Sequence, residues 1–308
     1  MSRLAAVDVG TNSVLLLVAE RAADGVVRPV REEAEITRLG RGVDRTGVLS
    51  AEGMDATLEV LARFAALARE DGARVLVVTA TSAARDARNG AEFLVRARER
   101  TGATVEILSG DEEARLSYLA VAQDFAADAG EAGLLAIDVG GGSTELVHGR
   151  GGRMLFRRSL DVGSVRLTER CVRSDPPTRA EQDVIRSEVR NALAGLPGLP
   201  RDVRVVGVAG TVTSLYAIAH AVEPYDAARV HGGWLPVEDV ARVRARLCSL
   251  PVAERRVLPG MQPKRADVLP AGALLFETAL AHLGVAGARV SDRGLRWGVL
   301  LDRWETLG

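Results

Sequence analysis

The chain has 308 residues, of which 47% are hydrophobic and 26% are charged, and its formal net charge is −1. That length is ample for two domains of about 150 residues, each with its own hydrophobic core. The near-zero net charge excludes a global basic field that recruits nucleic acid or anionic membrane, so any anion-binding surface must be local. No signal-peptide pattern and no apolar run near the ~18 residues of a membrane span is present, which predicts a cytoplasmic protein.

The first half of the sequence alternates predicted strands and helices, as in a layered α/β domain. Apolar runs at Leu4–Val9 and Val14–Val18 predict two strands that are covered on both faces. Apolar residues at helical spacing predict a helix over 51–70. The next predicted elements are a strand at 74–81, a helix at 91–100, a strand at 103–108 and a helix at 111–127.

The second half begins like the first. After a short polar joint at 128–133, the string L-L-A-I-D-V-G at 134–140 repeats L-A-A-V-D-V-G at 4–10, and a small polar turn and another apolar strand follow each copy. A repeat of about 130 residues is too long for a solenoid and indicates a duplicated domain. The further predicted elements are a strand at 154–159, a helix from 164, a helix opened by the capping pair Thr178 and Glu181, a strand at 203–208, helices at 211–222, 237–250 and 266–283, a strand at 288–291 and a closing helix at 296–307.

The two turns that follow the repeated strings, at 8–13 and 138–144, have a composition that suits phosphate binding. Glycine allows close approach of the backbone to a ligand, and successive N–H groups can converge on phosphate oxygens. Asp8 and Asp138, at the strand ends, are placed to take Mg²⁺ or its water shell. The alternative is that both turns are simply tight β-hairpins. The candidate phosphate-contacting residues are Thr11, Asn12, Ser13, Gly140, Gly141, Gly142, Ser143 and Thr144.

A second signal is the segment S-G-D-E-E-A-R at 109–115. Ser109 and Glu112 have the spacing of a capping box, which gives Glu112 a structural task at a helix start. Glu113 is left over, one turn into the helix, and a carboxylate there can orient and deprotonate an attacking water. The alternative is a solvated acid that the helix dipole favours.

Arg85 lies in the segment T-A-T-S-A-A-R-D-A-R-N at 79–89, where a predicted strand turns into a helix. A guanidinium group at this place can clamp a phosphate through bidentate hydrogen bonds. A solvated helix arginine is the equally open alternative.

Taken together, these residues resemble the exopolyphosphatase and guanosine-pentaphosphate phosphohydrolase (Ppx/GppA) family within the actin-like ATPase superfamily. The matching stretches follow one another in order through nearly the whole chain. They are D-V-G-T-N-S (8–13), L-G-x-G-V (39–43), the Arg85/Asn89 segment, S-G-D-E-E-A-R (109–115), D-V-G-G-G-S-T-E-L-V (138–147), S-L-D-V-G-S-V-R-L-T-E (159–169), G-V-A-G-T (207–211), G-M-x-P-x-R-A-D (260–267) and G-L-R-x-G (294–298).

The resemblance implies an α/β protein of two duplicated actin-like (ribonuclease H-like) domains, 1–127 and 128–308, with the active cleft between them. The closing helix at about 297–308 is expected to pack back on the first domain. Glu113 falls on the position of the catalytic glutamate, and Asp138 and Glu145 fall on positions that hold Mg²⁺ or Mn²⁺. Family phosphate-contacting positions correspond to Asn12, Ser13, Arg85, Gly141, Gly142, Ser143 and Thr144, and Arg166, Lys264 and Arg265 lie in family-like segments that we assign to substrate.

The activity implied by the resemblance is hydrolysis of terminal orthophosphate from inorganic polyphosphate. Short chains are the expected substrate, since the sequence ends where the short two-domain members end. The rivals are a guanosine pentaphosphate 5′-phosphohydrolase and a non-catalytic nucleotide or phosphate sensor; a sugar-kinase reading lacks its N-D motif near the second turn. A homodimer without nucleic acid or membrane partners is expected from the same resemblance and from the charge.

Overall fold

The computed structural model describes residues 2–200 and 202–307 and confirms the α/β class. The chain divides into two compact units. Unit 1 comprises Met1–Ala120 with Leu295–Gly308, and unit 2 comprises Val121–Gly294. Within the described ranges, every helix is too short or too polar to traverse a lipid bilayer.

Unit 1 contains a five-stranded sheet with the strand order β3-β2-β1-β4-β5. The first three strands form an antiparallel meander, and β4 and β5 continue the sheet in parallel with β1. The strands are β1 (Ser2–Val9), β2 (Ser13–Arg21), β3 (Val27–Ile36), β4 (Val75–Ala80) and β5 (Thr104–Ile107). The helices in the first part of the chain are α1 (Val43–Thr46), α2 (Ala51–Glu70), α3 (Ser82–Asp86), α4 (Gly90–Thr101) and α5 (Gly110–Phe125). One 3₁₀ turn (Ala126–Asp128) follows α5.

Both faces of this sheet are covered, which explains the continuous apolar run of β1. Ala5 and Val7 belong to a core with residues of α2 and α4, such as Phe64 and Phe93. Their neighbours on β1 point to the opposite face because side chains alternate along a strand. There they join a second core whose residues come from β2, β4, α5 and the closing helix.

Unit 2 repeats the same architecture and adds one strand. Its six-stranded sheet has the order β10-β11-β9-β6-β7-β8, so β8-β7-β6-β9-β11 corresponds to β3-β2-β1-β4-β5 with the same parallel and antiparallel pairings. The short β10 pairs antiparallel with β11 at the edge. The strands are β6 (Leu134–Val139), β7 (Thr144–Arg150), β8 (Arg153–Leu160), β9 (Arg204–Val208), β10 (Trp234–Pro236) and β11 (Gly287–Ser291). The prediction of a duplicated α/β domain is thereby confirmed.

The helices of unit 2 pack around one hydrophobic core, whose centre is a nearly all-buried helix, α12. Thr178 and Glu181 form the complete reciprocal capping box that the sequence predicts at the start of α7. The helices are α6 (Ser164–Cys171), α7 (Arg179–Leu193), α8 (Ala209–Ala219), α9 (Ala227–Val230), α10 (Val237–Ser249), α11 (Val252–Arg255) and α12 (Leu269–Leu283), with a 3₁₀ turn (Pro263–Arg265), and the closing helix of the chain is α13 (Leu295–Leu307).

The division between the units differs from the boundary drawn at 127/128 from the sequence. Unit 2 begins at Val121, inside α5, because the last turn of that helix packs with unit 2. Asp124 receives a hydrogen bond from Arg293 at 2.9 Å, and the Phe125 and His231 ring centroids lie 5.4 Å apart. The polar joint at 128–133 is therefore a loop within unit 2.

Helix α13 packs in unit 1 against β1 and β2. Three ion pairs fix its orientation: Arg296 with Glu32 of β3, Arg303 with Glu106 of β5 and Arg115 of α5 with Asp302. Partly exposed pairs of this kind are each worth about 0–1 kcal/mol, so they orient the helix while the buried apolar residues supply most of its stabilisation.

Strand β3 was not recognised in the sequence. It is the edge strand of its sheet, and most of its residues are exposed or partly exposed on both faces. Its sequence V-R-P-V-R-E-E-A-E-I therefore lacks the apolar alternation that marks a half-buried strand. Charged residues and a proline at an edge also prevent pairing with other chains.

Gly298 provides a test of how α13 packs. A Cβ atom added there would lie 1.8 Å from the Leu116 carbonyl oxygen of α5. Replacement of a helical glycine by alanine ordinarily stabilises a helix by up to about 1 kcal/mol. We predict instead that Gly298→Ala lowers the free energy of unfolding by about 1–3 kcal/mol, because the two helices must separate.

Urea unfolding measures this change. Gly195→Ala is the matched control, since nothing lies within 4 Å of its added Cβ atom. A Gly298→Ala chain as stable as the wild type would show that α5 and α13 do not pack this closely.

Candidate active site

The two candidate phosphate turns have the same backbone geometry. In unit 1 the Gly10 N–H donates to the Ser13 oxygen at 2.9 Å, and in unit 2 the Gly140 N–H donates to the Ser143 oxygen at 3.1 Å. Both turns therefore are tight β-hairpin connections, as the alternative reading of the sequence held. Their capacity to bind an anion depends on where the peptide groups of each turn point.

In unit 2, the carbonyl oxygens of the turn are bound by the segment that follows β8. The Gly140 oxygen accepts a hydrogen bond from the Ser164 N–H at 3.0 Å. The Gly141 oxygen accepts from the N–H groups of Val165 and Arg166 at 2.8 and 3.1 Å. The first amides of α6 are thus bound to the turn, and the turn carbonyls point toward α6.

The amide groups of this turn consequently point the other way. In a trans peptide the C=O and the following N–H lie on opposite sides, so the N–H groups of Gly141 and Gly142 point away from α6. The Gly142 oxygen accepts from Arg166 Nε at 2.7 Å, which orients the Ser143 N–H in the same way. Three successive amides directed to one side have the arrangement of a nest, which can bind an anion.

Gly163 makes this arrangement possible. A Cβ atom at this position would lie 2.5 Å from the carbonyl carbon and oxygen of Gly141, so only glycine lets the backing segment approach the turn. The Thr144 hydroxyl donates to the Val162 oxygen at 2.6 Å. That bond uses the single proton of the hydroxyl, and Thr144 as a phosphate-contacting residue stays a prediction. Its side chain anchors the turn.

The turn of unit 1 is held in the same way by the segment after β3. The Thr11 oxygen accepts from the Gly40 N–H at 2.8 Å, and the Asn12 oxygen accepts from the Thr37 and Arg38 N–H groups at 3.2 and 3.0 Å. A Cβ atom at Gly40 would lie 2.3 Å from the Thr11 side chain, so Gly40 is the counterpart of Gly163. By the same peptide geometry, the N–H groups following these two carbonyls, those of Asn12 and Ser13, point away from the backing segment.

Asn12 carries the clearest sign of a ligand in this turn. Its side chain is buried, and its Nδ2 atom has no hydrogen-bond partner among residues 2–200 and 202–307. A buried donor without an acceptor costs about 1–3 kcal/mol. Such a cost is expected where an external acceptor, such as a phosphate oxygen, completes the hydrogen bond.

Two of the three predicted metal-binding acids are neighbours within unit 2. Asp138 and Glu145 are directly opposite each other on β6 and β7, so their side chains lie on the same face of the sheet. Glu145 is buried, and its Oε1 atom accepts from the Ser159 hydroxyl of β8 at 2.7 Å. Directly opposed like charges are destabilising in a sheet, and a cation between them removes that repulsion.

The third acid, Asp8, has a different environment within unit 1. Its cross-strand neighbours are Leu15 on β2 and Thr79 on β4. The acid pair of unit 2 is thus replaced by an acid and a leucine at the corresponding place in unit 1. Asp8 as a metal ligand stays a prediction.

The two predicted catalytic residues, Arg85 and Glu113, are joined by a hydrogen bond. Arg85 Nη1 donates to Glu113 Oε2 at 3.1 Å and to the Leu108 oxygen at 2.9 Å. Both side chains are only partly accessible, with exposed fractions of 23% for Arg85 and 12% for Glu113. Arg85 therefore positions the Glu113 carboxylate, a task that the sequence did not indicate.

The structure separates the roles of the two adjacent glutamates as the capping argument expected. The Glu112 N–H donates to the Ser109 hydroxyl at 3.2 Å, and the Glu112 carboxylate accepts from the Arg115 guanidinium at 2.7 and 2.9 Å. These bonds to Glu112, followed by Asp302, raise the pKa of Arg115. Glu112 belongs to the framework of α5, whereas Glu113 turns toward Arg85.

Several polar residues near the motifs have structural tasks. Asn89 binds both backbone groups of Leu49, so it braces a loop in unit 1. Arg166 holds the second turn, as described, and its contact with substrate stays a prediction. Arg265 donates from Nε to Gln262 at 2.7 Å, and its contact with substrate stays a prediction, as does that of Lys264.

Comparison with known proteins gives the family. The model of the Ppx/GppA phosphatase family matches residues 17–307. Exopolyphosphatase 2 of Mycobacterium tuberculosis is 37% identical over 319 residues, which cover 98% of each chain. Among solved structures, the Ppx/GppA family member of Aquifex aeolicus has a TM-score of 0.83 at 33% identity, covering 100% of this chain and 99% of its own. An exopolyphosphatase from Cytophaga hutchinsonii has a TM-score of 0.89 at 26% identity, with 99% and 98% covered.

This chain belongs to the Ppx/GppA phosphatase family. The match extends over both units, so the family resemblance seen in the motifs is confirmed for the chain as a whole.

The buried Nδ2 group of Asn12 yields a prediction in which one substitution leaves stability unchanged or raised but weakens ligand binding. Asn12→Leu replaces the side chain by one of similar shape that needs no acceptor. We predict an unchanged or raised melting temperature, because an unsatisfied buried donor is removed. Binding of tripolyphosphate, measured by calorimetry, should weaken about 10- to 100-fold, since one hydrogen bond to a charged group is worth about 1.5–3 kcal/mol.

Ser50→Ala is the comparison variant. It removes the N-cap of α2, whose hydroxyl accepts from the Gly53 N–H at 3.1 Å, and should lower stability without changing ligand affinity. Tripolyphosphate binding by Asn12→Leu at the wild-type level would remove Asn12 from the site.

Proposed function

We propose that the chain is an exopolyphosphatase, a metal-dependent hydrolase that releases terminal orthophosphate from inorganic polyphosphate. One observation carries the proposal: an amide nest at 141–143 follows directly after a strand whose last acid, Asp138, is paired across the sheet with Glu145. A nest binds phosphate oxygens, and an adjacent pair of carboxylates binds the cation that accompanies them. The names of the relatives, exopolyphosphatases of Mycobacterium tuberculosis and Cytophaga hutchinsonii, support the same activity.

The donor set in unit 2 fits Mg²⁺ or Mn²⁺. The described residues contain no group of three or more His, Cys, Asp or Glu that could hold a metal alone. Mg²⁺ characteristically uses one or two carboxylates and completes its octahedron with waters and substrate phosphates. Asp138 and Glu145 are the residues that would hold the ion, and when bound it neutralises charge on the phosphate oxygens.

Substrate binding and substrate positioning fall to the two turns. The amides of Gly141, Gly142 and Ser143 are donors directed away from their backing segment, and Asn12 adds a buried Nδ2 donor that has no partner among the described residues. Hydrogen bonds from fixed donors orient a phosphoryl group for in-line attack and need no reorganisation during the reaction. Phosphoryl transfer depends mainly on such positioning and charge stabilisation.

Glu113 is the general base of the proposed mechanism. Its carboxylate is held in place by the hydrogen bond from Arg85, and a carboxylate fixed in this way can accept a proton from water. Glu113 thus aligns the water and takes up its proton as the oxygen attacks the terminal phosphorus. The Arg85 guanidinium has further N–H donors that can contact a phosphate.

Replacement of the base tests this assignment. We predict that Glu113→Gln lowers the turnover number by about 10²–10⁴-fold, because general-base help is lost. Tripolyphosphate affinity should change little, since the nest and Asn12 are untouched. Glu112→Gln is a closely matched control: the same change one residue earlier, in a side chain bonded to Arg115. Near-normal turnover by Glu113→Gln would remove Glu113 from the role.

A direct assay ranks the candidate substrates. Under one Mg²⁺ concentration, orthophosphate release is measured from tripolyphosphate, long-chain polyphosphate and guanosine pentaphosphate. We predict release from polyphosphate that EDTA abolishes and added Mg²⁺ restores, because Asp138 and Glu145 are themselves negative and the cation would supply the charge that neutralises the phosphates.

Two other outcomes would replace the proposal. Release from guanosine pentaphosphate alone would make the chain a guanosine pentaphosphate phosphohydrolase. Tight binding without release in Mg²⁺ or Mn²⁺ would make it a sensor. A homodimer and a cytoplasmic location stay predictions of the family resemblance and the sequence; light scattering measures the first.

A further inference from the structure

The two units allow an internal comparison of the row of residues that crosses the first three strands below each turn. In unit 2 the row is Asp138, Glu145 and Ser159, directly paired from β6 to β7 to β8. In unit 1 the corresponding row is Asp8, Leu15 and Ala34, paired from β1 to β2 to β3. The first member is the same, and the second and third both differ.

The differences are chemically coupled. Where the middle residue is Glu145, the outer residue is a serine whose hydroxyl donates to Glu145 Oε1 at 2.7 Å. Where the middle residue is Leu15, which accepts no hydrogen bond, the outer residue is Ala34, which offers none. The serine is thus present in the copy that has the carboxylate and absent from the copy that lacks it.

We propose that Ser159 is a positioning residue for the divalent cation, which it serves by orienting the Glu145 carboxylate toward the face shared with Asp138. This inference rests on the proposed function only for the identity of the cation site. The hydrogen bond from Ser159 to Glu145 Oε1 restrains rotation of the carboxylate. Partners of this kind in the outer shell of a metal site commonly change metal affinity by 10- to 100-fold when they are removed.

The competing explanation is that Ser159 only satisfies a buried acceptor. Glu145 is 2% exposed, so its carboxylate needs hydrogen-bond donors whether or not a metal binds. The two explanations differ in what the hydroxyl controls. A structural role affects stability with and without metal, whereas a positioning role affects metal affinity.

Mn²⁺ binding to the intact chain without substrate, followed by electron paramagnetic resonance, separates them. We expect Ser159→Ala to weaken Mn²⁺ binding about tenfold and Ser159→Thr, which keeps the hydroxyl, to restore it. In the phosphate-release assay, the Mn²⁺ concentration for half-maximal activity should rise by the same factor, with little change in turnover at saturating metal. Ser249→Ala is the matched control, because Ser249 is exposed and its hydroxyl donates to the Arg246 oxygen.

A double-mutant cycle completes the test. Glu145→Leu combined with Ser159→Ala gives unit 2 the Asp-Leu-Ala row that unit 1 already accommodates, which favours folding of the double variant. Because Ser159 acts through Glu145, we expect the double variant to bind Mn²⁺ no more weakly than Glu145→Leu alone. Additive losses would overturn the proposal, and so would wild-type Mn²⁺ affinity in Ser159→Ala or no Mn²⁺ binding by the wild-type chain.

The outcome is independent of the catalytic proposal. A chain that binds Mn²⁺ through Ser159 and Glu145 but releases no phosphate would keep this inference and end the exopolyphosphatase assignment. A chain that releases phosphate, with Ser159→Ala binding Mn²⁺ normally, would do the reverse.

Discussion

The orientation of peptide groups in two short turns is the constraint on which the site depends. In each unit, the segment after the third strand binds the carbonyl oxygens of the turn between the first two strands. Because a trans peptide is planar, fixing the carbonyls also fixes the amides, which point outward together. Gly40 and Gly163 permit the close approach that this requires. Without these backing segments the turns are ordinary hairpins with no preferred polar side.

The two units share one strand topology but carry different polar side chains around their turns. Both units retain an acid at the end of the first strand, a tight turn and a glycine in the backing segment. Only unit 2 pairs that acid with a second carboxylate. Unit 1 instead has Asn12 in its turn and the Arg85–Glu113 pair at the ends of α3 and α5. Charge for a cation and donors for an anion are thus built on one repeated framework.

Much of this could be predicted from the sequence because the relevant signals are local. The repeated D-V-G strings indicate the duplication. The spacing of Ser109 and Glu112 predicts a capping role for Glu112 and leaves Glu113 for another role. What could not be predicted depends on pairing across strands. Ser159 contacts Glu145 because the register of β7 and β8 places the two residues opposite each other. The Thr144 hydroxyl donates to the oxygen of Val162, which lies 18 positions later in the chain.

Other misses have a different physical origin. Strand β3 has no apolar alternation because it forms an edge, and the division between the units falls within α5, where no turn residue marks it. The Arg85–Glu113 hydrogen bond joins two segments that are 28 positions apart, and no pattern in either segment predicts contact with the other. Local sequence patterns identified the candidate residues, whereas only the structure shows which residues are their hydrogen-bond partners.

The most direct test of the account is to find which phosphorus atom the water attacks. Tripolyphosphate is hydrolysed in H₂¹⁸O with Mg²⁺, the reaction is stopped early, and the products are analysed by mass spectrometry. If Glu113 aligns the water on the terminal phosphorus, as proposed, ¹⁸O appears in the released orthophosphate and none appears in the pyrophosphate. Label in the pyrophosphate, or no orthophosphate at all, would contradict that proposal.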